Sequence, residues 1–192
     1  MVPFVVNWIS AAWGIFWIVW LLAAFASKRS VQRQTAESRL LQSVLVVIGV
    51  IFIFDFWNFF THGWLSARCI PRTPFWVLSG AVLTVSGILF CFWARAILGR
   101  NWSSAVTIKQ NHELILRGPY AFVRHPIYSG LLVGMLGTAI VFGRAHSFVG
   151  VLIFGLGLWI KSQIEERFML QQFGQQYLDY RQRVRALIPY VL

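Results

Sequence analysis

Two stretches of the chain place acids, bases and phenols at spacings that could do chemistry. The first contains Lys109, His112, Glu113, Arg117, Gly118-Pro119-Tyr120, Arg124-His125-Pro126, Tyr128 and Gly130. The second contains Lys161, Glu165-Glu166-Arg167, Phe173-Gly174, Tyr177, Tyr180 and Arg181. Gly118-Pro119 reads as a turn. Pro126 suits the first position of a helix, where its missing N–H costs nothing. Arg124 and His125 then stand at a helix N-terminus, where free N–H groups and the helix dipole favour an anion such as a carboxylate. On a helix, Lys161 and Glu165 share a face. Glu165 and Glu166 are two of only six acidic residues in the chain. Ionisable groups beside an apolar helix mark function more often than solubility. Taken singly, Arg124, Lys161 and Arg167 would be snorkelling anchors, Tyr120 and Tyr128 interfacial aromatics, and His125 a cap. Their joint order is the argument for a site.

Other patterns point to packing. Gly155-Leu-Gly157 lies inside an apolar helix and lacks the next glycine of a nucleotide-binding turn. Gly130-x-x-x-Gly134 is a close-contact motif expected to bring the fourth helix onto the fifth. The four histidines have no metal-ligand spacing, and Cys69 and Cys91 form no framework, so no metal is expected.

The elements that must position these residues are membrane helices. The chain has 192 residues, 58% hydrophobic and only 12% charged, and its apolar residues come in long uncharged blocks. The blocks are Pro3–Ala26, Leu40–Phe60 (interrupted by Asp55), Thr73–Ala94, Pro126–Gly143 and Ala145–Ile160, the last continuing past Lys161. The fold class is all-α: a multi-pass transmembrane helical protein of about five spans, the last two forming a helical hairpin. It reads as one integral membrane domain, with residues 1–99 supplying three spans and 100–192 the catalytic region. Ala24-Phe25-Ala26 resembles a signal-peptidase site, but no Lys or Arg precedes Lys28 and the apolar run is long, so a span is expected. The +11 charge does not form a nucleic-acid-binding stripe. Lys and Arg gather in the first loop, the third loop and the tail, whereas the second loop holds Arg68 and Arg72 and the hairpin tip Arg144. The positive-inside rule then puts the N-terminus outside and the third loop and tail in the cytoplasm. Asp55 and Asn58 are expected to hydrogen-bond between helices, and His62 and His146 to lie on the outer surface.

The run Gly118-Pro119-Tyr120-x-x-x-Arg124-His125-Pro126-x-Tyr128-x-Gly130, followed by Glu165-Glu166 and Phe173-Gly174-x-x-Tyr177-x-x-Tyr180, resembles the isoprenylcysteine carboxyl methyltransferase family and related membrane phospholipid methyltransferases. The resemblance runs from about Arg100 to Pro189. It implies a membrane enzyme using S-adenosylmethionine (SAM) and a lipid-like or isoprenoid small-molecule acceptor that enters from the bilayer. It implies a cofactor set of Lys109, His112, Glu113, Leu114, Ile115, Tyr120, His125, Pro126, Ile127, Tyr128, Glu165 and Glu166. Lys161 occupies the family's arginine position near the acceptor carboxylate and, with Arg124, is the candidate catalytic pair. Lysine there keeps the charge but loses the bidentate fork. Five spans resemble the shorter prokaryotic members, which implies a prokaryotic plasma membrane. Esterifying a carboxylate needs orientation by a cation and no general base, whereas an amine or thiol would first lose a proton. Two other readings remain open at this point: an NADPH-dependent sterol-reductase-like enzyme, whose C-terminal region has a similar His-Pro-x-Tyr run, and a non-catalytic membrane protein that keeps the fold.

Overall fold

The structure, a computed structural model, describes residues 2–25, 30–33, 36–99, 107–109 and 114–188. In lipid every backbone polar group must find its partner within the segment, so even runs rich in Val, Ile and Phe become helices. The elements are α1 (Val2–Phe25), β1 (Ser30–Arg33), α2 (Ala36–Phe54), a 3-10 turn at Trp64–Ser66, α3 (Pro74–Leu98), β2 (Thr107–Lys109), a 3-10 turn at Gly118–Ala121, α4 (Pro126–Phe142), α5 (Ala145–Phe173) and α6 (Gln175–Arg183). Proline opens α3 and α4, as its fixed φ favours. Val2–Ala23, Pro74–Leu98 and Ala145–Phe173 are long and apolar enough to cross a membrane; Arg39–Phe54 and Pro126–Phe142 are apolar but shorter. The helices keep large apolar side chains facing outward, Leu152 at 75% exposure among them, as a lipid-facing surface requires.

Lipid tails are as apolar as leucine, so helices associate through close backbone approach. The glycines set the pairs. A Cβ on Gly87 of α3 would lie 2.4 Å from the Gly134 nitrogen of α4. One on Gly150 of α5 would lie 2.7 Å from the Gly49 carbonyl oxygen of α2. So α3 packs on α4 and α5 on α2, while α4 and α5 meet less extensively. This corrects the expected partner of Gly130-x-x-x-Gly134: the motif faces Gly87 and Cys91 of α3, not α5. Small residues on two helices select each other, and the sequence of one helix does not reveal which partner carries the match. Gly157 packs against Leu45 and Val46 of α2. Trp13 anchors α1 by donating from Nε1 to Thr138 Oγ1 at 3.0 Å.

Three further expectations are corrected. The second apolar helix ends at Phe54, not Phe60, because Asp55 and Asn58 adopt positive φ of 44° and 52°, a region that Asp and Asn tolerate better than most residues. Among the described residues Asp55 makes no interhelical bond; its Oδ1 accepts the Phe59 N–H at 2.7 Å within its own loop. His146 is buried rather than on the outer surface, with Nδ1 2.6 Å from the Phe52 carbonyl oxygen and its ring stacked on Phe60. There it serves the C-terminal carbonyls of α2, as does Ser147, which donates to the Ile53 oxygen at 3.0 Å. The described residues also form a small sheet: β1 pairs antiparallel with β2, Ser30 opposite Lys109 and Arg33 opposite Thr107. The ribbon ties the first and third interhelical stretches together on one side of the bundle.

Candidate active site

The site forms where α4 begins and the polar end of α5 runs alongside it. His125 is the N-cap of α4, and Pro126, Ile127 and Tyr128 form its buried first turn. This start is gripped by the segment that follows α6. The Arg124 N–H donates to the Arg185 oxygen at 2.8 Å and the His125 N–H to the Ala186 oxygen at 2.9 Å. Ser129 Oγ donates to the Leu187 oxygen at 2.5 Å. Tyr180 of α6 closes the other flank by donating to the Tyr120 oxygen at 2.6 Å.

Arg124 joins three elements. Its Nε and Nη2 donate to Glu166 Oε1 at 2.9 and 2.5 Å. Its Nη1 donates to the Arg181 oxygen at 3.2 Å and to the Val184 oxygen. The pair is deeply set, with side-chain exposures of 8% and 5%. The guanidinium and N–H groups expected to await a ligand's carboxylate are therefore engaged by the chain's own acceptors. Glu166 also has Arg181 Nε 3.4 Å from its other oxygen.

Glu165 faces a different set. Tyr128 Oη donates to its Oε1 at 2.5 Å, and His125 Nδ1 lies 3.3 Å from its Oε2. The His125 and Tyr128 rings stack in parallel, 5.4 Å between centroids. Lys161, one turn before Glu165, holds its Nζ 5.4 Å from the centre of the Tyr128 ring. His125 Nε2 is 3.4 Å from Glu166 Oε1 without hydrogen-bond alignment, so the imidazole lies between both carboxylates. Burial opposes its charge, but the two carboxylates beside it, Glu165 and Glu166, outweigh that and raise its pKa above the ordinary histidine value. Burial pushes the Tyr120, Tyr177 and Tyr180 phenols well up, so they stay protonated.

The structure thus brings together Tyr120, Arg124, His125, Pro126, Ile127, Tyr128, Lys161, Glu165 and Glu166. Leu114 and Ile115 are half-buried on the approach to the turn, Ile115 against the core. Lys109 lies in β2, which touches α5. His112 and Glu113 lie outside the described residues. Among the described residues no cluster of His, Cys, Asp or Glu could hold a metal ion. Sequence reasoning missed the clasp formed by residues 184–187. The only available signal was the spacing of Tyr177 and Tyr180, both of which prove buried.

Residues 75–176 match the phospholipid methyltransferase family model, which sets the class: membrane methyltransferases. A probable protein-S-isoprenylcysteine O-methyltransferase of Oryza sativa subsp. indica is 30% identical over 180 residues, covering 89% of this chain and 87% of that protein. Protein-S-isoprenylcysteine O-methyltransferase B of Arabidopsis thaliana is 28% identical over 158 residues, covering 79% and 72%. The solved structure of a eukaryotic intramembrane Ras methyltransferase matches with 26% identity and a TM-score of 0.41, over 84% of this chain and 55% of that one. The chain belongs to the isoprenylcysteine O-methyltransferase family and is an integral membrane protein. These relatives are methyltransferases of eukaryotes and give the expected prokaryotic plasma membrane no support.

Proposed function

We propose that this protein is a SAM-dependent membrane methyltransferase acting on a hydrophobic, lipid-like acceptor that presents a carboxylate. The observation that carries the reading is the meeting of Glu165, His125, Tyr128 and Lys161 where α4 and α5 run together. The donor set fits SAM: a half-buried carboxylate beside stacked aromatic rings suits a ligand that carries a sulfonium, an ammonium and an adenine. When bound, SAM supplies an electrophilic methyl group on a positive sulfur. Glu165 balances that charge, and the Tyr128 ring offers a π face. On the family pattern, Lys109, His112, Glu113, Leu114, Ile115 and Tyr120 line the rest of the cofactor site.

Lys161 orients the acceptor carboxylate. Transfer to a carboxylate needs alignment and no base, which suits a site whose Tyr120, Tyr177 and Tyr180 phenols are held protonated. Arg124 and Glu166 act by holding the C-terminal segment in place. The chain spans the bilayer five times with the site on the cytoplasmic face, where its basic loops gather.

Purified protein in nanodiscs, given methyl-labelled SAM with an isoprenylcysteine analogue or a membrane lipid extract, tests the reading. Label in the acceptor and calorimetric binding of S-adenosylhomocysteine are expected. Binding of NADPH in its place, or label no higher than a no-enzyme control, refutes it.

A further inference from the structure

At the end of the bundle opposite Glu165, the segment around Arg68 is stitched onto the α4–α5 turn. The Cys69 N–H donates to the Gly143 oxygen at 2.8 Å and the Ala145 N–H to the Ala67 oxygen at 2.9 Å, and Arg68 and Arg144 face each other as an antiparallel bridge. Arg68 Nη1 donates to the Phe142 oxygen at 3.1 Å and the Ile70 oxygen at 3.2 Å. That fixes one prong of the fork, while among the described residues Nε and Nη2 have no protein partner. Arg68 and Arg72 are exposed and Arg144 is half-buried. Desolvation, then the charges of Arg72 and Arg144, lowers the pKa of Arg68, so the three cations crowd one another. Among the described residues no carboxylate comes within 4.0 Å of any of them. Asp55, the acid on this face, already accepts the Phe59 N–H. Three neighbouring cations with no carboxylate beside them make a local positive field that favours an anion. The loop after α2, the turn at Trp64–Ser66 and the start of α3 expose Phe56, Trp57, Phe59, Trp64 and Phe75, side chains that settle at the headgroup level of a bilayer.

We propose that Arg68, Arg72 and Arg144 bind the headgroup phosphate of an anionic phospholipid from the leaflet at this face, its chains lying against these exposed aromatic side chains. An anchored arginine fork suits phosphate, and each basic residue near a membrane surface adds to the attraction. The site is separate from the Glu165 cluster and does not depend on the reaction.

Native mass spectrometry of detergent-purified protein, titrated with phosphatidylglycerol and phosphatidylcholine, tests it. Wild type should retain phosphatidylglycerol at least tenfold more tightly, on the order of the surface electrostatic effect. Arg68→Gln/Arg72→Gln/Arg144→Gln should abolish that preference, and Arg167→Gln/Arg183→Gln/Arg185→Gln should keep it. Arg72→Gln alone, at an exposed position, should weaken it severalfold and serves if the triple variant does not fold. Equal retention of the two lipids, loss of preference only in the Arg167 set, or full competition by glycerol phosphate without acyl chains overturns the proposal.

Discussion

Replacing Arg124 with alanine should loosen the C-terminal clasp without unfolding the bundle. The side chain bonds Glu166 and the carbonyls of Arg181 and Val184, and at 8% exposure water cannot readily replace it. Removing one member of a buried, hydrogen-bonded ion pair costs about 3–5 kcal/mol. Glu166 keeps His125 and Arg181, each 3.4 Å away, so the lower end of about 3 kcal/mol applies. That corresponds to about a hundredfold in the local opening equilibrium. The readout is hydrogen exchange at the backbone N–H groups of residue 124 and His125, which donate to the Arg185 and Ala186 oxygens. Both should exchange about a hundredfold faster in Arg124→Ala, with α3 amides unchanged. Arg124→Lys should fall between, because it keeps the charge and loses the fork. Glu166→Ala should behave like Arg124→Ala, and the double variant should add little, since both remove one interaction. Additive effects, or equal acceleration throughout α3, would show that the pair is no local clasp.

Glu165→Gln should weaken S-adenosylhomocysteine binding at least tenfold by calorimetry, the order expected for a charge-assisted contact, whereas Glu166→Gln should leave affinity near wild type and lower thermal stability; equal affinities would reverse the assigned roles. Lys161→Ala should preserve that affinity and depress turnover, and unchanged turnover would reduce Lys161 to an anchor. The raised pKa of His125 means its protonated form stabilises the fold: the contribution is complete below the ordinary value near 6.5 and fades as pH rises through the raised value. Melting temperature should therefore fall with rising pH above that point, and His125→Gln should flatten the profile. Gly87→Leu should drive α3 and α4 apart, since even a Cβ there meets backbone at 2.4 Å, and should cost more than about 3 kcal/mol by the overpacking rule, read as loss of folded protein in detergent.

Much of this was legible because lipid imposes simple rules. The apolar blocks gave the helices to within a few residues at Pro74, Pro126 and Ala145, where a proline or a Gly-Arg turn punctuates them. Leu40–Phe60 failed because Phe56, Trp57 and Phe59 look like span residues but sit exposed in a loop. Hydropathy cannot distinguish an interfacial aromatic from a buried one. The meeting of His125 with Glu165 and Tyr128 was foreshadowed by helical spacing and the family pattern. The saturation of Arg124 was not, because its partners at 181 and 184 are backbone carbonyls, which every residue carries and no pattern marks. His146 was misjudged for the same reason: its partner is the Phe52 carbonyl.

The glycine-mediated pairs α3–α4 and α2–α5 have a consequence for assembly. Each joins a helix from the first half of the chain to one from the second, so the halves interlock like clasped fingers. During synthesis α2 must wait in the bilayer until α5 is inserted. Two polypeptides cut between α3 and β2 and made in the same cell should recombine, each supplying the missing surface of the other.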